Sequence, residues 1–182
     1  MSEFMADIVK CWNLYGSSYI AGAGRTLMFS LVGTFIGCII GFVVGIVQTI
    51  PLSKNDPAPK KILIKFVKAI MRIYVEVFRG TPMIVQAVFI YYGARMLFDI
   101  KMGMWFSAFF VVSINTGAYM AETVRGGINS IDPGQTEGAK AIGMTHFQTM
   151  LSVILPQAFR NIIPQIGNNF IINIKDTAVL SV

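Results

Sequence analysis

The sequence predicts an all-α integral membrane protein that crosses the bilayer several times. Of the 182 residues, 54% are hydrophobic and only 13% are charged, whereas charged residues make up about 25% of an average soluble domain. Residues 26–53 and 102–121 contain no charge at all. Because about 20 apolar residues are enough to cross a membrane, we expect spans at about residues 26–50 and 102–124.

Two shorter uncharged runs predict two further spans. Residues 80–94 contain no charge, and this run extends to a span over residues 80–98 if the side chain of Arg95 snorkels to the interface. Residues 161–174 are also uncharged and predict a span over residues 160–180.

Ahead of the first span, residues 1–24 are mixed in polarity and lack the basic region and apolar core of a signal peptide. We expect them to form an extracytoplasmic or interfacial lead-in. Within the first span, glycine recurs at every fourth residue, so the glycines share one helical face. Such a stripe of small residues lets a second helix approach closely. The glycines are Gly33, Gly37, Gly41 and Gly45.

Positive charge is concentrated between the first and second predicted spans. Clustered positive charge beside a span marks the cytoplasmic side. The N-terminus and the loop at residues 99–101 are therefore expected outside, with Arg125, Lys140 and Arg160 inside. This placement accounts for the net charge of +6 without a nucleic acid as partner. The clustered residues are Lys54, Lys60, Lys61, Lys65, Lys68, Arg72 and Arg79.

The same segment predicts a turn and a surface helix. Residues 53–60 contain Pro57 and Pro59 and predict a cytoplasmic turn. From Lys61 the charges recur at intervals of three or four residues, which places them on one face of a helix. We expect this helix to lie along the inner membrane surface, with its basic stripe toward headgroups or water.

A capped helix is predicted after the third span. Asp132 is a suitable N-cap, with Pro133 at the first helical position and Gln135 at the third, the arrangement of a capping box. Gly143 can adopt the left-handed conformation that ends a helix.

A second short helix is expected to follow directly. Thr145 and Gln148 repeat the capping spacing, and Pro156 is expected to break the helix that they begin. The alternative is a span over residues 141–159, which are uncharged, and it would invert the topology of everything that follows. Because this run contains His146, two glutamines and a proline, we favour helices outside the membrane.

Residues 137–156 carry the most specific pattern in the chain: Glu137-Gly138-Ala139, three residues, Gly143, nine residues, and then Val153-Ile154-Leu155-Pro156. This pattern resembles the cytoplasmic signature loop of permease subunits in bacterial ATP-binding-cassette importers. The family pattern is Glu-Ala-Ala, three residues, Gly, nine residues and Ile-x-Leu-Pro, from which Gly138 and Val153 depart. The resemblance implies a cytoplasmic helix-turn-helix loop over about residues 126–158 that couples to an ATPase. Its coupling residues would be Glu137, Gly138, Ala139, Gly143, Leu155 and Pro156.

Further blocks resemble the branch of these importers that carries polar amino acids. They are residues 75–82, 85–86, 91–92, 115–122, 167–170 and 175–177. The resemblance implies one permease domain over residues 1–182, in the bacterial inner membrane. The implied partners are separate ATPase subunits, a second permease subunit of the same or another kind, an extracytoplasmic amino-acid-binding protein and membrane lipid. Permeases of this branch have a further span after the fourth, which we expect this chain to lack.

Polar groups at membrane depth are costly and often mark a transport path. A zwitterionic amino acid needs a cation for its carboxylate and an anion for its ammonium group, which the neighbouring lysine and aspartate could provide. The alternatives are a structural ion pair or interfacial anchor for those two residues, and a pair with Arg125 for the glutamate. The candidates are Asn115, Glu122, Lys175 and Asp176.

No pattern in the sequence predicts catalysis. The Gly-x-x-x-x-Gly-Lys-Ser/Thr loop that holds ATP phosphates is absent, as is the cysteine and histidine spacing of a metal site. We therefore expect no catalytic residue, metal or cofactor in this chain, which would not itself be an enzyme. The competing class is a secondary transporter or channel, which would need coupling sites within the membrane but no ATPase-docking loop.

Overall fold

The computed structural model describes residues 2–52 and 57–180. Within these residues all regular structure is helical. The helices are α1 (Ser2–Thr49), α2 (Ala58–Gly80), α3 (Met83–Phe98), α4 (Met104–Asn129), α5 (Pro133–Ala141), α6 (His146–Thr149), a π-helical turn (Met150–Ile154) and α7 (Leu155–Leu180). Of the cytoplasmic turn predicted at residues 53–60, residues 53–56 lie outside the described part.

Helix α1 is one unbroken helix of 48 residues, about 72 Å long at 1.5 Å per residue. The predicted lead-in and the predicted first span therefore lie in the same helix. The lead-in part has few neighbours, and Trp12 and Tyr19 are 58% and 63% exposed. Only the second half of α1 packs in the helical bundle.

The glycine stripe of α1 faces α4, as the spacing predicted. A Cβ added to Gly33, Gly37, Gly41 or Gly45 would lie only 2.3–2.7 Å from a side chain of α4. The contacted residues are also four apart, so the two helices run side by side over three turns. They are Val112, Thr116, Met120 and Val124. The close approach expected from the stripe is confirmed.

Helix α4 is the centre of the bundle. It packs against α1, α2, α3 and α7, and Val111, Val112 and Val124 are fully buried. Its second half forms the largest apolar cluster together with the start of α7, where Ala158 and Ile162 are fully buried. The bundle is thus arranged around one helix, whose position fixes those of the others.

In the part of the chain that the structure describes, two helices, α1 and α4, are long and apolar enough to cross a membrane. Helices α2 and α3 meet these criteria only as a pair that bends by 111° at Thr81 and Pro82. Helix α7, which contains the predicted span over residues 160–180, is not among them because asparagine and glutamine recur along it.

Candidate functional site

Helix α5 begins as the capping pattern predicted, although the expected capping box does not form. The side chain of Asp132 accepts a hydrogen bond of 2.6 Å from the amide of Gly134. The carboxamide of Gln135 instead accepts a hydrogen bond of 3.3 Å from the side chain of Gln157, at the start of α7. The predicted capping box was wrong because the side chain of Gln135 connects α5 to α7 instead of bonding back to Asp132.

Gly143 ends α5 in the predicted conformation, with a φ of 83°. Its amide donates to the carbonyl of Lys140 at 3.0 Å, and the amide of Met144 donates to that of Ala139 at 3.1 Å. These bonds satisfy carbonyl groups that the end of a helix leaves without partners. No atom of the described residues lies within 4 Å of a Cβ added at this position, so the backbone conformation alone requires glycine here.

The second helix of the pair starts with the predicted capping box. The amide of Gln148 donates to the hydroxyl of Thr145, and the amide of Thr145 donates to the carboxamide of Gln148 at 2.9 Å. The expected break at Pro156 is absent. The chain continues from α6 through the π-helical turn into α7, with Pro156 in the first turn of α7. Pro156 directly follows the π-helical turn, where the amide of Leu155 donates to the carbonyl of Met150, so the regular α-helical ladder is already interrupted at this point.

The coupling candidates divide into exposed and buried groups. Ala139 and Leu155 are buried, and Leu155 packs in the apolar cluster with residues of α4 and α7. The end of α1 and the helix pair enclose a cavity of about 380 Å³, whose lining includes Thr49, Glu137, Lys140 and His146. The remaining candidates are exposed and available to a partner: Glu137, Gly138, Gly143 and Pro156.

Asn115 braces the bend between α2 and α3. Its Nδ2 donates to Oε1 of Gln86 at 3.0 Å and to the carbonyl of Phe78 at 3.2 Å. Gln86 in turn donates to the carbonyl groups of Phe78 and Thr81, both at 2.9 Å. Because the bend at Pro82 interrupts the helical ladder, these amides replace the hydrogen bonds that the carbonyls lose. Sequence reasoning missed Gln86, for which the uncharged run offered no signal.

Asn115 also lines a cavity of about 330 Å³ together with Thr81, Tyr119 and Asp176. Lys175, the neighbour of Asp176, is exposed and does not line this cavity. Within residues 2–52 and 57–180, no ion pair joins Lys175 to Asp176. The structure therefore brings Asn115 and Asp176 together and leaves Lys175 apart from them.

Glu122 lies in a three-residue ion cluster. It accepts a hydrogen bond of 3.1 Å from Nε of Arg125 and a second bond from the same guanidinium group. Nη1 of Arg79, at the end of α2, lies 3.8 Å from its carboxylate. All three residues line a larger cavity of about 590 Å³, together with Lys68 and Glu76 and other residues of α2. The pairing of Glu122 with Arg125 anticipated from the sequence is confirmed.

A buried polar seam joins α7 to α1 and α4, and sequence reasoning did not find it. Asn173 donates hydrogen bonds to the hydroxyls of Thr34 at 2.7 Å and Thr116 at 2.8 Å. One turn further on, the hydroxyls of Thr177 and Ser30 lie 2.8 Å apart. Polar residues at positions 165, 169, 173 and 177 recur every four residues. This period could have revealed a polar helical face directed into the bundle.

The arrangement of the helices and the capped pair defines a helical membrane permease fold. A family model described as "binding-protein-dependent transport system inner membrane component" matches residues 63–182, more than half of the chain. The chain belongs to this family. The all-α membrane fold and the family resemblance predicted from the sequence are thereby confirmed.

Named relatives and a solved structure agree with this assignment. The chain is 42% identical over 111 residues to the glutamine transport system permease protein GlnP of Escherichia coli K12, covering 60% of this chain and 51% of that protein. It is 40% identical over 109 residues to the arginine transport system permease protein ArtQ of Bacillus subtilis, covering 60% and 50%. A crystal structure of an amino acid ABC transporter with histidines superposes with a TM-score of 0.80 at 35% identity, over 97% of this chain and 74% of that chain. The alignments span about half the length of the curated relatives.

Proposed function

We propose that this chain is the membrane-spanning subunit of an ATP-driven importer that translocates polar amino acids. In this proposal an extracytoplasmic binding protein delivers the amino acid, and a second permease subunit completes the path. Separate ATPase subunits dock on the α5–α6 pair, so closure of the ATPases moves this pair and switches access across the membrane. The chain itself then carries no ATP-hydrolysing site.

The observation that carries the proposal is the construction of the α5–α6 pair. Its turn is fixed by the left-handed Gly143 and its second helix by a complete capping box. Glu137 stays exposed, while Leu155, into which the second helix continues, is buried in the core of the bundle. A short pair that is rigid, exposed on one side and anchored on the other suits the transmission of force from a docked partner.

We propose that the N-terminus is extracytoplasmic and that the α5–α6 pair faces the cytoplasm. Two contacts support this orientation. The end of α1 lines the cavity beside the pair, and Nζ of Lys68 donates to the carbonyl of Ile50 at that same end. The basic residues of α2 and the helix pair therefore share one end of the bundle, where clustered positive charge indicates the cytoplasm.

The polar amino acid is proposed as substrate from the relatives, whose names specify glutamine and arginine. In the structure, Asn115 and Asp176 line one polar cavity, and Glu122 lines a second. We place the substrate path along these two cavities. Asp176 would hold the ammonium group of the substrate, and Lys175 would remain outside the path.

The test is uptake by the purified complex in proteoliposomes. The chain is co-expressed with the ATPase that co-purifies with it, and uptake of radiolabelled glutamine and arginine is measured with the proposed binding protein present. We expect an ATPase to be retained on the solubilised protein and uptake to require ATP hydrolysis. Uptake that needs only an ion gradient, with no ATPase retained, would instead identify a secondary transporter.

A further inference from the structure

Arg79 presents most of its hydrogen-bond donors to the larger cavity. Its side chain is 41% exposed and lines the larger cavity. The carbon of its guanidinium group lies 5.7 Å from the centroid of the Tyr119 ring. Among the described residues its guanidinium nitrogens make no hydrogen bond, and the nearest carboxylate oxygen is 3.8 Å away on Glu122. An arginine offers five N–H donors in a planar fork, so most of these donors remain available.

Tyr119 and Arg79 line different cavities and lie side by side. Asn115, Tyr119 and Glu122 follow one another at intervals of four and three residues on α4, so they share one helical face. Asn115 and Tyr119 line the smaller cavity, whereas Glu122 and Arg79 line the larger one. Because the tyrosine ring lies beside the guanidinium group, Arg79 is next to the face of α4 along which the proposed substrate path runs.

The two ion pairs of Glu122 differ in strength. Arg125 holds the carboxylate through two hydrogen bonds on the same helix. Arg79 lies on another helix at 3.8 Å, beyond hydrogen-bond distance. If a second carboxylate takes Arg79, Glu122 therefore keeps Arg125 and no charge is left without a partner. Exchange at Arg79 avoids the cost of an unpaired charge.

We propose that Arg79 is the carboxylate-recognition residue of the substrate path. It exchanges Glu122 for the α-carboxylate of the amino acid, while Tyr119 holds the plane of the guanidinium group. Arginine binds carboxylates through two parallel hydrogen bonds, and stacking on an aromatic ring leaves the edge of the fork free for them. The inference rests on the proposed function and assigns a role to two residues that the sequence did not mark as candidates.

The test compares an amino acid with the same molecule lacking its carboxylate charge. Binding of radiolabelled glutamine and arginine to the purified complex in nanodiscs, without the binding protein, is competed by the free amino acid and by its α-methyl ester. For the wild type we expect the ester to bind at least about tenfold more weakly, since a hydrogen bond to a charged group contributes that much. Arg79→Gln should weaken binding of the acid to the level of the ester and leave the ester unchanged.

Glu122→Gln is expected to strengthen binding, which a folding defect would not do. Removing the competing carboxylate frees Arg79, so the amino acid should bind severalfold more tightly than in the wild type while the ester does not. Arg160→Gln is the matched control, because this arginine is exposed and lines neither cavity. It should retain the wild-type ratio of acid to ester.

The outcomes separate this inference from the function on which it rests. A wild-type complex that neither binds nor imports an amino acid would overturn both. Normal import together with an unchanged ratio of acid to ester in Arg79→Gln would overturn only the role of Arg79. If Arg79→Gln weakened binding of the acid and the ester equally, and Glu122→Gln did not strengthen binding of the acid, Arg79 would have only a structural role.

Discussion

Gly41 of α1 and Met120 of α4 lie so close that a Cβ on Gly41 would be 2.3 Å from the Cβ of Met120. The backbone of α4 is also within 2.9 Å of this added atom, at the carbonyl carbon of Met120 and the amide of Ala121. A rotamer change of the methionine therefore cannot relieve the contact. Close packing of α1 on α4 depends on the absence of a side chain at this position.

Gly41→Ala should accordingly destabilise the protein by about 1–3 kcal/mol, the usual cost of overpacking. The matched control is Gly22→Ala on the same helix, where nothing lies within 4 Å of the added Cβ. That change should be neutral or slightly stabilising, because glycine is unfavourable within helices. Thermal unfolding in detergent, followed by circular dichroism, measures both. Equal melting temperatures for the two variants would contradict the packing.

Gly143→Val should distort the turn of the α5–α6 pair and uncouple ATP hydrolysis from transport. A residue with a Cβ in a left-handed conformation costs about 1–2 kcal/mol. Gly167→Ala is the control, because Gly167 is helical in α7, lies outside the α5–α6 pair, and nothing among the described residues lies within 4 Å of an added Cβ. Hydrolysis and uptake are measured together on the reconstituted complex. The docking role fails if well-expressed Gly143→Val transports with normal coupling.

Asp176→Asn should reduce uptake by about tenfold if the carboxylate holds the ammonium group of the substrate, in line with a charged hydrogen bond. Assembly should be unaffected, since no ion pair with Lys175 is broken. Lys175→Met should have little effect on uptake. Uptake is measured at matched expression, alongside the double change Lys175→Met, Asp176→Leu. Wild-type uptake by the double variant would remove both residues from the substrate path.

Asn173→Leu should cost about 1–3 kcal/mol, the penalty for leaving buried polar groups without partners. The change removes the donor that Thr34 and Thr116 share within the polar seam. Asn168→Leu on the same helix is the control, because Asn168 is exposed. The fraction of folded protein is followed across a denaturant series. Equal midpoints for the two variants would show that the seam contributes nothing to stability.

The proposed orientation can be tested with single cysteines in a background lacking Cys11 and Cys38. A cysteine at Gln135 should resist an impermeant thiol reagent in intact cells and react only after lysis. A cysteine at Lys101, which is exposed in the loop between α3 and α4, should react from outside. The reverse pattern of labelling would invert the topology. Asn55 offers another expected inside position, although it lies outside the described residues.

Local rules predicted the features that depend on a few neighbouring residues. The left-handed Gly143, the capping box of Thr145 and the glycine stripe of α1 follow from backbone conformation and helical spacing alone. The hydrogen bonds of Asn115 with Gln86 and of Asn173 with Thr34 join residues far apart in the chain. Their partners are determined by the packing of helices, which no local pattern specifies.

Two further differences between the predicted and the observed structure also result from tertiary structure. The proline rule predicted a break at Pro156, but the helix continues through this residue, which directly follows the π-helical turn where the α-helical ladder is already interrupted. Gln135 has the spacing of a capping box, but its side chain accepts a hydrogen bond from Gln157 on α7 instead. In both cases the residue had more than one acceptable environment, and the tertiary structure determined which one it occupies.

Because of the π-helical turn at Met150–Ile154, the direction that the α5–α6 pair faces depends on the number of residues in this turn. A π-helical turn accommodates one residue more than an α-helical turn, and each residue of an α-helix corresponds to a rotation of about 100°. Deleting one residue from this turn would turn it into ordinary α-helix and rotate α6 about the axis of α7 by that angle. The surface around Glu137 would then point elsewhere, while the seam at Asn173 and the packing at Ile162 remained in register. The docking surface can thus be redirected by an insertion or deletion of one residue, with no substitution at any contact.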